Sequence, residues 1–133
     1  MATATVAFLE PESGRLHLAS AGHPPPIVVP PVGPPRILAV RPCPPLGALD
    51  VTEYHSVEAI LEPAATLLLY TDGLVERRGE SIDVSLQKLA SRCHILAGGP
   101  LEAGLDQLLE QTLTGDSVTD DVAVLALRRQ SVG

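Results

Sequence analysis

At 133 residues, 45% of them apolar and 19% charged, the chain has the length and composition of one globular domain rather than of a disordered tail. Acidic residues outnumber basic ones 16 to 9 and Lys88 is the lone lysine, so the cations that displace counterions from phosphates are scarce, which argues against a nucleic-acid partner. No apolar run approaches the roughly 20 residues that span a bilayer, the start lacks the basic stretch of a secretory signal, and Cys43 and Cys93 show no CxxC spacing, so a cytoplasmic protein with two reduced cysteines is expected.

Phe8, Tyr54 and Tyr70 are the only aromatics, so the core must be packed from Leu, Val, Ile and Ala. Val6 and Phe8 fall on one face of an alternating run, residues 10–14 supply turn chemistry, and Leu16 and Leu18 resume the alternation, which predicts a hairpin. A second hairpin is expected from residues 27–29 and 37–40 across the Pro/Gly turn at 30–35. Ten of the 13 prolines lie between positions 24 and 45, so its strands should be short or at a sheet edge. Residues 54–61 read as a weaker strand. Residues 66–70 are apolar on both faces, as a central buried strand would be, and the run ends abruptly at Thr71-Asp72-Gly73. Ile82, Leu86, Leu89, Cys93 and Leu96 repeat at helical spacing up to Gly98-Gly99, and a second helix opens at Pro100 with Leu101, Leu105, Leu108, Leu109 and Leu113 as its stripe. These stripes read as core faces rather than partner grooves. Gly104 should weaken the second helix by roughly 1 kcal/mol relative to alanine. Residues 122–127 form a last strand, and the tail from Arg128 is expected to fray. The order predicts an α+β domain with helices packed on a sheet.

Two acidic positions stand where buried strands meet loops: Asp72 after LLLY, and Asp120 with Asp121 before VAVLAL. If those strands are neighbours, the carboxylates converge at one sheet end, where a hard divalent cation would find oxygen ligands. Gly73 would let the backbone pass close to the ion. Asp-Gly is equally an ordinary turn, and acidic pairs often do no more than end a strand, so spacing alone leaves both readings open. His23 reads as a loop residue holding a strand end, His17, His55 and His94 as packing or surface residues, and Arg77-Arg78 as a solvated loop that could reach a phosphate.

Taken together, AGHPPP (21–26), PPLG (44–47), LEP (61–63), LLLYTDGLVE (67–76) and TDDVAVLAL (119–127) resemble, in order and spacing, the SpoIIE/RsbU branch of the metal-dependent PPM serine/threonine phosphatases, over residues 1–128 with 129–133 as a tail. The resemblance implies a sandwich of two β-sheets flanked by helices, with a two-metal manganese or magnesium site at one end. It implies hydrolysis of phosphoserine or phosphothreonine on a regulatory protein of the anti-sigma-factor-antagonist type, by metal-activated water and without a protein nucleophile. Asp72 and Asp120 then correspond to metal ligands, Asp121 to a terminal or supporting position, and Gly73 to the backbone beside them.

The sequence departs from the family in two places. An upstream Asp-Val-x-Gly-His-Gly motif, whose aspartate bridges the metals, is not among the 133 residues, so this portion is expected to show weak catalysis or none. Ala64-Ala65 stand where the family commonly has Gly-Asp, and alanine at a position needing φ > 0 would cost about 1 kcal/mol, which leaves room for a different turn. The rival reading is a non-catalytic phosphatase-like module that binds a partner or itself as a homodimer through open sheet edges.

Overall fold

The alternation at the start of the chain becomes an antiparallel hairpin of β1 (Ala4–Leu9) and β2 (Arg15–Ala21), with Leu9 opposite Leu16 and Phe8 opposite His17. The computed structural model describes residues 2–40, 43–48, 53–114 and 121–131. The other strands are β3 (Ile27–Val29), β4 (Arg36–Ile37), β5 (Ser56–Ile60), β6 (Thr66–Tyr70) and β7 (Val124–Arg128). They form a three-stranded sheet β1-β2-β5 and a four-stranded sheet β4-β3-β6-β7, antiparallel throughout.

Strands β3 and β6 explain the layering. Val28 and Leu67 face Leu16, Leu18 and Leu61 between the two sheets, whereas Ile27, Val29, Leu68 and Tyr70 face Leu89, Cys93, Leu96 and Leu108 of the helical layer. An apolar strand of this kind needs cover on both sides, and each leucine it buries contributes on the order of 1.5–3 kcal/mol. Cys93 is a neutral core group: burial pushes its thiol up to about 12. The α+β expectation holds, with the helices on the outer face of the four-stranded sheet.

Helix α1 (Ile82–Arg92) starts where Ser81 accepts a hydrogen bond from the Val84 amide at 3.3 Å, and it runs into a 3-10 turn over Cys93–Leu96. Helix α2 (Leu101–Thr112) follows Pro100. Gly104 has a packing reason that its helix propensity hides, because a Cβ there would lie 3.1 Å from the Ile95 carbonyl oxygen. Ile82, expected in the buried stripe, is half exposed at the first turn. Among the described residues, no helix is long and apolar enough to cross a membrane.

Three further details add to the sequence reading. The face of β1 that carries Val6 and Phe8 points to solvent, and these residues are 66% and 65% exposed. The expected frayed tail is anchored through Arg129. Arg128 lies within β7 and donates to the Leu96 and Gly99 carbonyls, while the Arg129 guanidinium donates to the carbonyls of Pro11, Glu12 and Leu61. The turn at Glu62-Pro63-Ala64-Ala65 keeps its left-handed position despite the missing glycine: Ala64 has φ 67°, and the Ala65 amide closes the turn on the Glu62 carbonyl at 3.0 Å. Hydrogen bonds between residues 64–65 and Arg129, at 2.8 and 3.0 Å, hold it there. Alanine pays for that conformation with steric strain of about 1 kcal/mol. Ala64→Gly is therefore expected to raise stability by about 1 kcal/mol in urea denaturation, and a loss of stability would show that the turn is unstrained.

Candidate metal centre

The last residue of β6, Tyr70, pairs with the first of β7, Val124, so the two acidic motifs leave the sheet at the same end. Burial of Tyr70 raises its phenol pKa, and the hydroxyl donates to the Pro25 carbonyl, which draws the AGHPPP segment toward this end. Just beyond the pair, Thr71 holds the two chains together. Its amide donates to the Ala123 carbonyl at 3.0 Å, and its Oγ1 accepts the Ala123 amide at 2.9 Å. The following residues, Asp72–Leu74, form a single 3-10 turn in which the Asp72 carbonyl accepts the Val75 and Glu76 amides.

This places the predicted site residues as follows. Asp72 is half-buried at the mouth of the turn, and among the described residues its carboxylate has neither a hydrogen bond nor an ion pair. Asp121 is exposed and stands two residues before Ala123, the residue that pairs with Thr71 in β fashion. Asp120 lies outside the described residues. Gly73 is buried inside the turn and does not have a left-handed φ; its carbonyl accepts from Arg77 Nη1 at 3.3 Å, which leaves one lone pair for any other partner.

The fit to a divalent metal is good in kind and short in number. A half-buried carboxylate without a donor is stabilised by a cation, and manganese or magnesium prefers such oxygen ligands. Among the described residues, however, no three His, Cys, Asp or Glu side chains come together closely enough to hold an ion. The histidines stand apart in other roles. His23 holds a strand end, its Nδ1 3.1 Å from Thr3 Oγ1 and its carbonyl accepting from Ser20, and His17 lies 3.5 Å from Glu58 on the three-stranded sheet.

Two residues matter more than their sequence suggested. Thr71 was legible only as part of a turn, yet it is the clamp between the motifs. Arg77, expected in a solvated loop, is half-buried and joins the turn to the end of α2 by donating to the Glu76 and Thr112 carbonyls, both at 2.8 Å. No periodicity announces either contact.

Residues 1–130 match the family described as Stage II sporulation protein E (SpoIIE). The RsbU and RsbW domains of Rv1364c from Mycobacterium tuberculosis superpose with a TM-score of 0.84 at 32% identity, over 97% of this chain and 36% of that one. The manganese-soaked phosphatase domain of SpoIIE from Bacillus subtilis superposes at 0.66 with 16% identity, over 96% of this chain and 56% of that one. The SiaA-PP2C domain of Pseudomonas aeruginosa superposes at 0.67 with 21% identity, over 95% and 51%. The last two likenesses are of fold alone, and this chain spans between 36% and 56% of the three structures.

The clamp is testable apart from any metal. Thr71→Val removes the acceptor of the Ala123 amide and is expected to cost about 1 kcal/mol and to speed hydrogen exchange at Ala123, while Thr71→Ser keeps both near wild type. Equal stability and exchange in all three proteins would show that the hydroxyl does not hold the motifs together.

Proposed function

The chain belongs to the SpoIIE phosphatase family, and from that premise we propose that it supplies the Asp72 and Asp120-Asp121 part of a metal-dependent serine/threonine phosphatase site. The observation that carries the reading is the juxtaposition of the two motifs across the β6–β7 end, with the Asp72 carboxylate free of partners among the described residues. Asp72, Asp120 and Asp121 would hold manganese or magnesium, with the one open lone pair of the Gly73 carbonyl as a further oxygen. Bound there, the metal pair supplies an activated water and offsets charge on the phosphoryl group. The chain's own part is to fix the carboxylates: Thr71 sets the spacing of the two strands, and Arg77 braces the turn from behind.

The proposed substrate is phosphoserine or phosphothreonine on a small cytoplasmic regulatory protein in bacterial sigma-factor control. A phosphatase domain of SpoIIE and the RsbU domain beside an RsbW domain are among the similar structures, which supports this class of partner. The family's bridging aspartate is not among the 133 residues, so hydrolysis is proposed for the complete domain, and weak catalysis or none for this chain alone.

One observation favours a second reading. Leu125 and Leu127 pair in register with Leu69 and Leu67 on the face that looks between the sheets, yet they are 63% and 44% exposed. The three-stranded sheet does not reach them, and β7 is an outer strand of its sheet, so this surface suits a non-catalytic interaction or homodimer module.

Manganese-dependent hydrolysis of p-nitrophenyl phosphate separates the two. In the complete domain, Asp72→Ala and Asp120→Ala are each expected to lower the rate at least about 100-fold, more than changes behind a metal ligand usually do. Wild-type rates in both variants would remove the carboxylates from the reaction and favour the module.

A further inference from the structure

The chain carries a net charge of −7, yet four of its nine basic residues, Arg77, Arg78, Lys88 and Arg92, line one cavity of about 260 Å³. The cavity opens between the end of the Asp72–Leu74 turn, α1 and the last residue of α2, Thr112. Glu80 is the one acidic side chain in its lining. Glu80 is already occupied, accepting from Lys88 Nζ at 2.7 Å and Ser85 Oγ at 2.8 Å, and these bonds hold its carboxyl below the usual range. Arg77 is tied to three backbone carbonyls. Arg78 and Arg92, by contrast, have no hydrogen-bond or ion-pair partner among the described residues. A second and independent observation points the same way: Thr112 is only 5% exposed, lines the cavity, and its Oγ1 has no hydrogen-bond partner among the described residues. Buried hydroxyls are normally paired, and gathering cations in an acidic chain costs self-repulsion unless an anion joins them.

We propose that this cavity binds a phosphate dianion, presented either by free phosphate or by a phosphorylated side chain, with Arg78 and Arg92 as the charged donors and Thr112 Oγ1 as the buried one. Guanidinium groups suit the task because their fork of donors matches phosphate oxygens. The site uses none of the carboxylates at Asp72, Asp120 and Asp121, so it stands or fails independently of the metal reading.

The test is titration of the full chain with inorganic phosphate in the presence of EDTA, followed by calorimetry and thermal unfolding, with sodium chloride of matched ionic strength as the control. Phosphate is expected to raise Tm where chloride does not. Arg78→Gln and Arg92→Gln should each weaken binding at least about tenfold, because each removes charge-assisted hydrogen bonds. Thr112→Val should weaken it roughly fivefold while leaving Tm in phosphate-free buffer unchanged or higher, since the hydroxyl it removes has no partner among the described residues to lose. O-phosphoserine binding more tightly than phosphate would assign the site to a phosphorylated side chain, and the reverse order to the free ion. A phosphate effect no larger than that of chloride, or wild-type affinity in the Arg78→Gln/Arg92→Gln double variant, would overturn the proposal.

Discussion

Strand β6 must be covered on both faces, and the rest of the structure follows from that requirement. Leu67 needs the three-stranded sheet on one side, and Leu68 and Tyr70 need the helical layer on the other. With its flanks taken by β3 and β7, the strand has four of its five residues buried, Leu69 alone being half-buried. The turn that leaves the upper end is where the apolar run stops and Asp72 begins. A carboxylate at that point lies at the edge of a low-dielectric interior, where its pairing matters more than on an open surface.

Much of this was legible because burial writes itself into composition. The apolar run LLLY at 67–70 and two leucine stripes at helical spacing located the central strand and the helices, and the acidic residues beside β6 and β7 marked the candidate site. The rest depended on contacts that no local pattern encodes. Both faces of β1 alternate equally well, so Val6 and Phe8 could not be assigned to core or solvent; in the structure both are exposed, and Leu9, opposite Leu16, is the β1 residue that packs against the core between the sheets. Arg128 and Arg129 read as a charged tail, but their guanidinium groups tie up backbone carbonyls from turns far away in the sequence. Ala64 kept a glycine conformation because the ladder to Arg129 outweighs its strain.

The molecule spends its few cations on structure and on one cavity. Arg77, Arg128 and Arg129 brace turns and strand ends, while Arg78 and Arg92 are left without partners among the described residues beside an unpaired buried hydroxyl. Asp72 stands at the end of β6, and the guanidinium groups of Arg77, Arg78 and Arg92 line a cavity that also borders Leu74 of the same short turn. A phosphorylated partner would meet opposite charges at the two places, one set calling for a metal and the other for the phosphate itself.

The central claim is that an ion is held between the Asp72 turn and the residues that lead into β7. Paramagnetic line broadening by substoichiometric manganese in the amide NMR spectrum of this chain tests it most directly. The account predicts that the amides of Thr71, Asp72, Gly73 and Asp121 broaden first and that the Asp72→Ala variant loses the effect. Broadening centred on other acidic residues, such as Glu58 or Glu102, with Thr71 and Asp121 untouched, would contradict it.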